Sequence, residues 1–137
     1  MDYREEFYSA RWHLDVAKRM LGVYDEYAEK RVLVGVIREG AKSAGKLVRA
    51  FLIREGAKGN LQTFMIDVAP RYLSEEEICG VVGILNLERD QKLARVEFVR
   101  NDKVLLEVGG KWKILEVSRL REIIGHIGSV VENFRQV

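Results

Sequence analysis

GAKSAGKL, residues 40–47, decides the fold. Gly40, then Gly45 and Lys46 after four intervening residues, have the G-x-x-x-x-G-K spacing of a phosphate-binding loop. Such a loop turns its backbone N–H groups toward an anion, so it sits between a strand and a helix N-terminus. Its lysine is followed by Ser or Thr, which reaches the magnesium ion; here Leu47 follows Lys46. Apolar residues also keep one helical phase through the stretch: Leu33, Val34, Ile37, Ala41, Ala44, Val48, Phe51 and Leu52. The amides are then spent inside a helix, and no nucleotide triphosphate is expected at residues 40–46. Gly40, Ala41, Ala44 and Gly45 fall on or beside the apolar face, where small residues let a neighbouring helix approach. A helical glycine costs about 1 kcal/mol against alanine, so two of them mark a close approach.

The same periodicity extends outward. Tyr3, Phe7, Ala10, Leu14, Ala17, Leu21 and Tyr24 alternate in steps of four and three, which predicts a first helix over 3–26 behind an Asp2/Glu5 capping pattern. The second helix runs over 29–54, with Gly56 as its C-terminal cap. Asn60 caps a third helix that Pro70 ends. Ser74 and Glu77 form a capping box for a fourth, whose end falls between Glu88 and Phe98. In 103–117, two β-prone runs flank Gly109 and Gly110, the composition of a two-residue hairpin turn. Ser118 then caps a last helix carrying Leu120, Ile123, Ile124, Ile127, Val131 and Phe134. The fold class is mostly α: an antiparallel up-and-down bundle of four to five helices, with one short β-hairpin before the C-terminal helix, in a single domain over 1–137.

The 137 residues carry 47% apolar and 32% charged side chains, an ordinary globular balance with a net charge of +2. The single cysteine, Cys79, leaves no internal disulfide and no multi-cysteine metal site, as in a reducing cytoplasm. The charged start MDYREEFY argues against a secretory signal, and no apolar run approaches the length of a membrane span. A cytoplasmic location, no membrane partner and no cofactor or metal are expected. One proline and many Glu, Lys and Arg lean toward a thermophile.

Charge is distributed unevenly. On the second helix Arg31, Arg38, Lys42, Lys46 and Arg49 fall within about 80° of one another at 100° per residue. Residues 31–60 hold seven Lys or Arg against two acidic residues, whereas the first thirty hold seven acidic against five basic. Two readings follow. The stripe is a solvated face paired with the acidic first helix, or it is a surface for nucleic-acid phosphates. No aromatic residue interleaves with it in sequence, which argues against a base-stacking platform.

His13 lies on the flank of the first helix with no partner visible in sequence. His126 lies in the last helix, where Arg119, Glu122, His126, Ser129 and Asn133 form one polar ridge. A carboxylate four residues before a histidine can orient the ring and raise its basicity. A nearby arginine can stabilise a phosphorane-like transition state, so the ridge could support RNA cleavage without a metal. The competing reading is the ordinary polar side of an amphipathic helix.

The long first helix, the alanine-rich second helix and Arg121-Glu-Ile-Ile-Gly-His126 together resemble the HEPN superfamily. These are small helical bundles, usually homodimers, common in prokaryotic toxin–antitoxin and defence systems. The resemblance implies an R-x4-6-H pair at Arg121 and His126 acting across a dimer interface in a metal-independent endoribonuclease. Glu122 stands where the family usually has Asn, Asp or His, and Ile127 and Gly128 stand where a polar residue and tyrosine often follow. RNA and an antitoxin-like nucleotidyltransferase are the implied partners. The alternative is a non-catalytic, dimeric interaction protein. In either case the Gly/Ala-rich second helix and the Ile-rich last helix offer apolar faces for a homodimer.

Overall fold

The computed structural model describes residues 2–136. Helix α1 (Tyr3–Tyr27) packs along helix α2 (Arg31–Arg54). A broken helical segment follows: α3 (Leu61–Thr63), a π-helical turn (Phe64–Val68) and α4 (Ala69–Tyr72). Helix α5 (Glu75–Leu93) leads into strands β1 (Val96–Arg100), β2 (Lys103–Val108) and β3 (Lys111–Glu116), and helix α6 (Val117–Gln136) closes the bundle. The fold is mostly helical, as the periodicity predicts, and the GAKSAGKL stretch is continuous helix within α2.

Local signals explain most boundaries. Asp2 caps α1 through the Arg4 amide at 2.9 Å. Asn60 caps α3, and Ser74 and Glu77 make the full capping box of α5. The chain leaves α2 through Gly56 at φ +64°, the left-handed conformation of a C-terminal cap. Pro70 does not end the third helix. The π-turn widens the ladder ahead of it, with the Ala69 amide bonded to the Phe64 carbonyl, so the proline sits in the first turn of α4. Ser118 is likewise not the cap: α6 starts one residue earlier, and the Val117 amide bonds the Asp102 carbonyl at 2.9 Å.

The predicted hairpin forms around Gly109 and Gly110, both at positive φ as a tight primed turn requires. It gains a third antiparallel strand, β1, from the region whose helix end the sequence left open. The inner face of this sheet places Val104, Leu106 and Leu115 in the core. It is tied to α5 by Lys113 to Asp90 at 2.9 Å and by Gln91 to Glu97 at 3.2 Å.

The core runs between α1, α2, α5 and α6, and its centre is aromatic. Phe51 is fully buried and meets Phe64, Tyr72 and Phe134 at ring distances of 5.7, 6.0 and 4.9 Å. Helices α5 and α6 approach closely at Gly80, where a Cβ would lie 2.8 Å from His126 Cβ. The apolar faces that the sequence offers for a homodimer are consumed inside the monomer. Gly40, Ala41 and Ala44 of α2 and Ile123, Ile124 and Ile127 of α6 are all buried. Among the described residues, no helix is long and apolar enough to cross a membrane.

Candidate functional site

Arg121 and His126 leave α6 in different directions. Arg121 reaches α1 and makes two bonds to Asp25, one of them 2.9 Å long. His126 is half-buried against Gly80 of α5. Five residues along a helix rotate a side chain by about 140°, so one protomer does not bring the two to one cavity. The ridge's carboxylate and amide are engaged by residues other than His126. Glu122 pairs with Arg119 at 3.0 Å, and Asn133 turns to Glu77 at 2.5 Å.

Arg121 lines a cleft of about 580 Å³ with Tyr24, Asp25, Asp102, Lys103 and Ser118. Its arginine is neutralised by Asp25. The guanidinium hydrogen bonds hold Asp25 below the usual carboxylate range, and the same bonds raise Arg121. Tyr24 donates to Asp102, and Tyr72, elsewhere, donates to Glu55. Each phenol is held above its ordinary pKa of 10.0, first by that hydrogen bond, then by burial and by the carboxylate charge. Raised folded-state values stabilise fully below about pH 10, and that contribution is lost as pH climbs through them. We expect a 295 nm titration to show a late phase that is reduced in Tyr24→Phe and in Tyr72→Phe. A late phase unchanged in both variants, or none in the wild type, would contradict these bonds.

The second cleft lies on the α1–α2 hairpin and gathers three residues of the basic stripe. His13, Lys42, Gly45, Lys46 and Arg49 line a groove of about 450 Å³. Gly45 meets nothing within 4 Å of where its Cβ would be, so its smallness opens the groove rather than seating a helix, unlike buried Gly40. His13 is oriented by Glu39 of α2, Nδ1 to Oε2 at 2.5 Å, which leaves Nε2 as its other polar atom. Lys42 stands 3.8 Å from the same carboxylate. At the next turns Glu6 of α1, 6% exposed, receives Lys46 at 3.3 Å and Arg49 at 3.4 Å.

Pairing with the first helix therefore accounts for part of the stripe. It does not account for Arg31 and Arg38, which are exposed and carry no side-chain ion pair among the described residues. Arg38 and Lys42 also line a neighbouring cleft of about 330 Å³ with Glu88, Gln91 and Lys92 of α5. Five cations thus follow about 27 Å of α2, from Arg31 to Arg49.

The structure adds the aromatic partner that the linear stripe lacks. Trp12 is 62% exposed and its ring meets His13 edge-on at 5.0 Å. The stripe and this tryptophan come from different helices, so no spacing along the chain could reveal the pair. A histidine on α1 and a glutamate on α2 are also 26 positions apart. Among the described residues, no group of three or more His, Cys, Asp or Glu side chains is arranged to hold a metal. Comparison of the chain with protein-family models, curated proteins and solved structures found no match in any of the three.

Proposed function

We propose that this protein is an RNA-directed helical module that grips a single strand along α2. The observation that carries the reading is the α1–α2 groove: Lys42, Lys46, Arg49 and His13 around one opening, with exposed Trp12 in ring contact with that histidine. Cations grip phosphates without reading sequence, and an exposed indole stacks on any base. The HEPN-like features of the chain agree with this reading. They add a toxin–antitoxin or defence setting and an antitoxin-like nucleotidyltransferase as protein partner.

The test is anisotropy of a labelled single-stranded RNA between about 50 and 200 mM salt, where each phosphate contact contributes about 0.7 to the log–log slope. Arg31→Ala with Arg38→Ala is the clean variant, because neither residue has a side-chain ion pair to lose among the described residues. We expect the slope to fall by about 1.4, equally for unrelated sequences and with no change in melting temperature. Trp12→Ala should weaken binding by about 1–3 kcal/mol and leave the slope unchanged. Lys46 and Arg49 are poorer probes, since removing them strands the buried Glu6 carboxylate. Absence of salt-dependent binding at low ionic strength would hand the protein to the interaction-module reading.

A second reading, metal-independent cleavage of the bound strand, is favoured by one feature of the groove: its histidine is oriented by a carboxylate. Nicking in EDTA that is lost in His13→Ala and kept in His126→Ala supports this placement. The reverse pattern returns the chemistry to Arg121 and His126 acting across a dimer.

A further inference from the structure

Antiparallel sheets that pack one face on a core usually turn a polar face to water. This sheet does not. Its outer face carries three rows in register: Arg100, Lys103 and Glu116; then Phe98, Leu105 and Ile114; then Val96, Glu107 and Trp112. Five of these nine residues are apolar, and Val96, Phe98, Trp112 and Ile114 are 45, 42, 51 and 61% exposed. The Phe98 and Trp112 rings meet edge-on at 5.7 Å across the face, so the patch is already packed against itself. Contiguous exposed apolar surface of this kind marks an interaction site.

We propose that a second copy of this chain covers this face, sheet on sheet, about a two-fold axis that runs across the strands. The charges choose both the occupant and the axis. That operation places the first row over the partner's third row. Lys103 then lies over Glu107 of the partner subunit, and by symmetry the pair forms twice. The central row meets its own copy, Phe98, Leu105 and Ile114 against the same three residues. The other two charges, Arg100 and Glu116, then lie on the edge strands over Val96 and Trp112. A two-fold axis along the strands would set Arg100 over Glu116 instead, but would also put Lys103 over Lys103 and Glu107 over Glu107 on the central strand, which like-charge repulsion disfavours. Glu107 is held for this role by the turn, where the Gly110 amide donates to its Oε1 at 2.8 Å. Nine residues a side is small against the roughly 20–30 of a standard interface, so the dimer is concentration-dependent.

Sedimentation of the full chain from about 10 to 500 μM reads the equilibrium, a range chosen for an interface at the small end. We expect a reversible monomer–dimer transition. Trp112→Ser should abolish it while leaving the melting temperature of dilute protein unchanged. Lys103→Glu and Glu107→Lys should each weaken association by about tenfold or more, because symmetry counts each repulsion twice. The double variant should recover association to within about threefold of wild type. Monomer throughout the range, or a dimer indifferent to Trp112→Ser, overturns the proposal. So does a double variant no better than the singles, since the face would then be used with another geometry. The groove on α2 lies outside this face, so RNA binding and association fail or succeed independently.

Discussion

Phe51→Ala lowers the unfolding free energy by about 3–5 kcal/mol. The site has no way to collapse around the loss. Phe51 is fully buried in α2 and is met by Phe64 from the π-turn, Tyr72 from α4 and Phe134 from α6. Three elements would have to move inward together to fill the space. The Phe134 ring is further fixed by stacking on Phe7 at 4.7 Å. The loss also removes three aromatic pairs, each contributing about 0.5–1.5 kcal/mol beyond area. A domain of this size has about 5–15 kcal/mol in total, so the melting temperature should fall by about 10–20 °C. Thermal and urea unfolding at neutral pH measure it. A loss below about 1.5 kcal/mol would mean that the aromatic centre is not packed as described.

Arg54→Ala is expected to cost about 2–4 kcal/mol, for a different reason. Arg54 is the last residue of α2, yet it serves α6. Its Nη1 donates to the Phe134 carbonyl at 2.8 Å, one of the final carbonyls that α6 cannot satisfy within itself. Its guanidinium lies 3.9 Å from the centre of the Phe134 ring and 5.1 Å from that of Phe51. A planar cation can stack and donate at once, which lysine cannot. The cost has a counterweight, because Nη2 is buried with no hydrogen-bond acceptor. Arg54→Met should therefore be milder, about 1–2 kcal/mol: it refills the slot and removes the unsatisfied donor, while losing the cap, the cation over the rings and the ion pair to Glu55. Equal losses for Ala and Met would locate the whole effect in the guanidinium's charge and hydrogen bond rather than in packing. Combined with Phe51→Ala the effects should not add, since both act on Phe134.

The candidate site was less legible than the fold. The stripe from Arg31 to Arg49 could be read from one helix, because 3.6-residue periodicity relates residues within a helix. The reading of Lys46 and Arg49 as partners of the acidic first helix was equally accessible, and Glu6 supplies that partner. What escaped was everything that crosses from α1 to α2. His13 had no visible partner until the hairpin brought Glu39 to it, and Trp12 joined the basic surface only through His13. Conversely, Arg121 and His126 look like neighbours along the chain and are separated by the helix they share.

The sequence by itself determined the helical class, most caps, the helical fate of GAKSAGKL and the turn at Gly109 and Gly110. These are local matters, settled by backbone hydrogen bonding, steric limits on φ and apolar periodicity within a few residues. Tertiary structure alone decided that the Ile-rich face of α6 is core rather than interface, that β1 completes a sheet, and that this sheet's outer face stays apolar and uncovered. Burial is a property of which element lands on which, and a side chain's exposure depends on residues tens of positions away. Val104 and Leu105 show the difference: adjacent and both apolar, one is sealed against the core while the other lies in the outer row between Phe98 and Ile114.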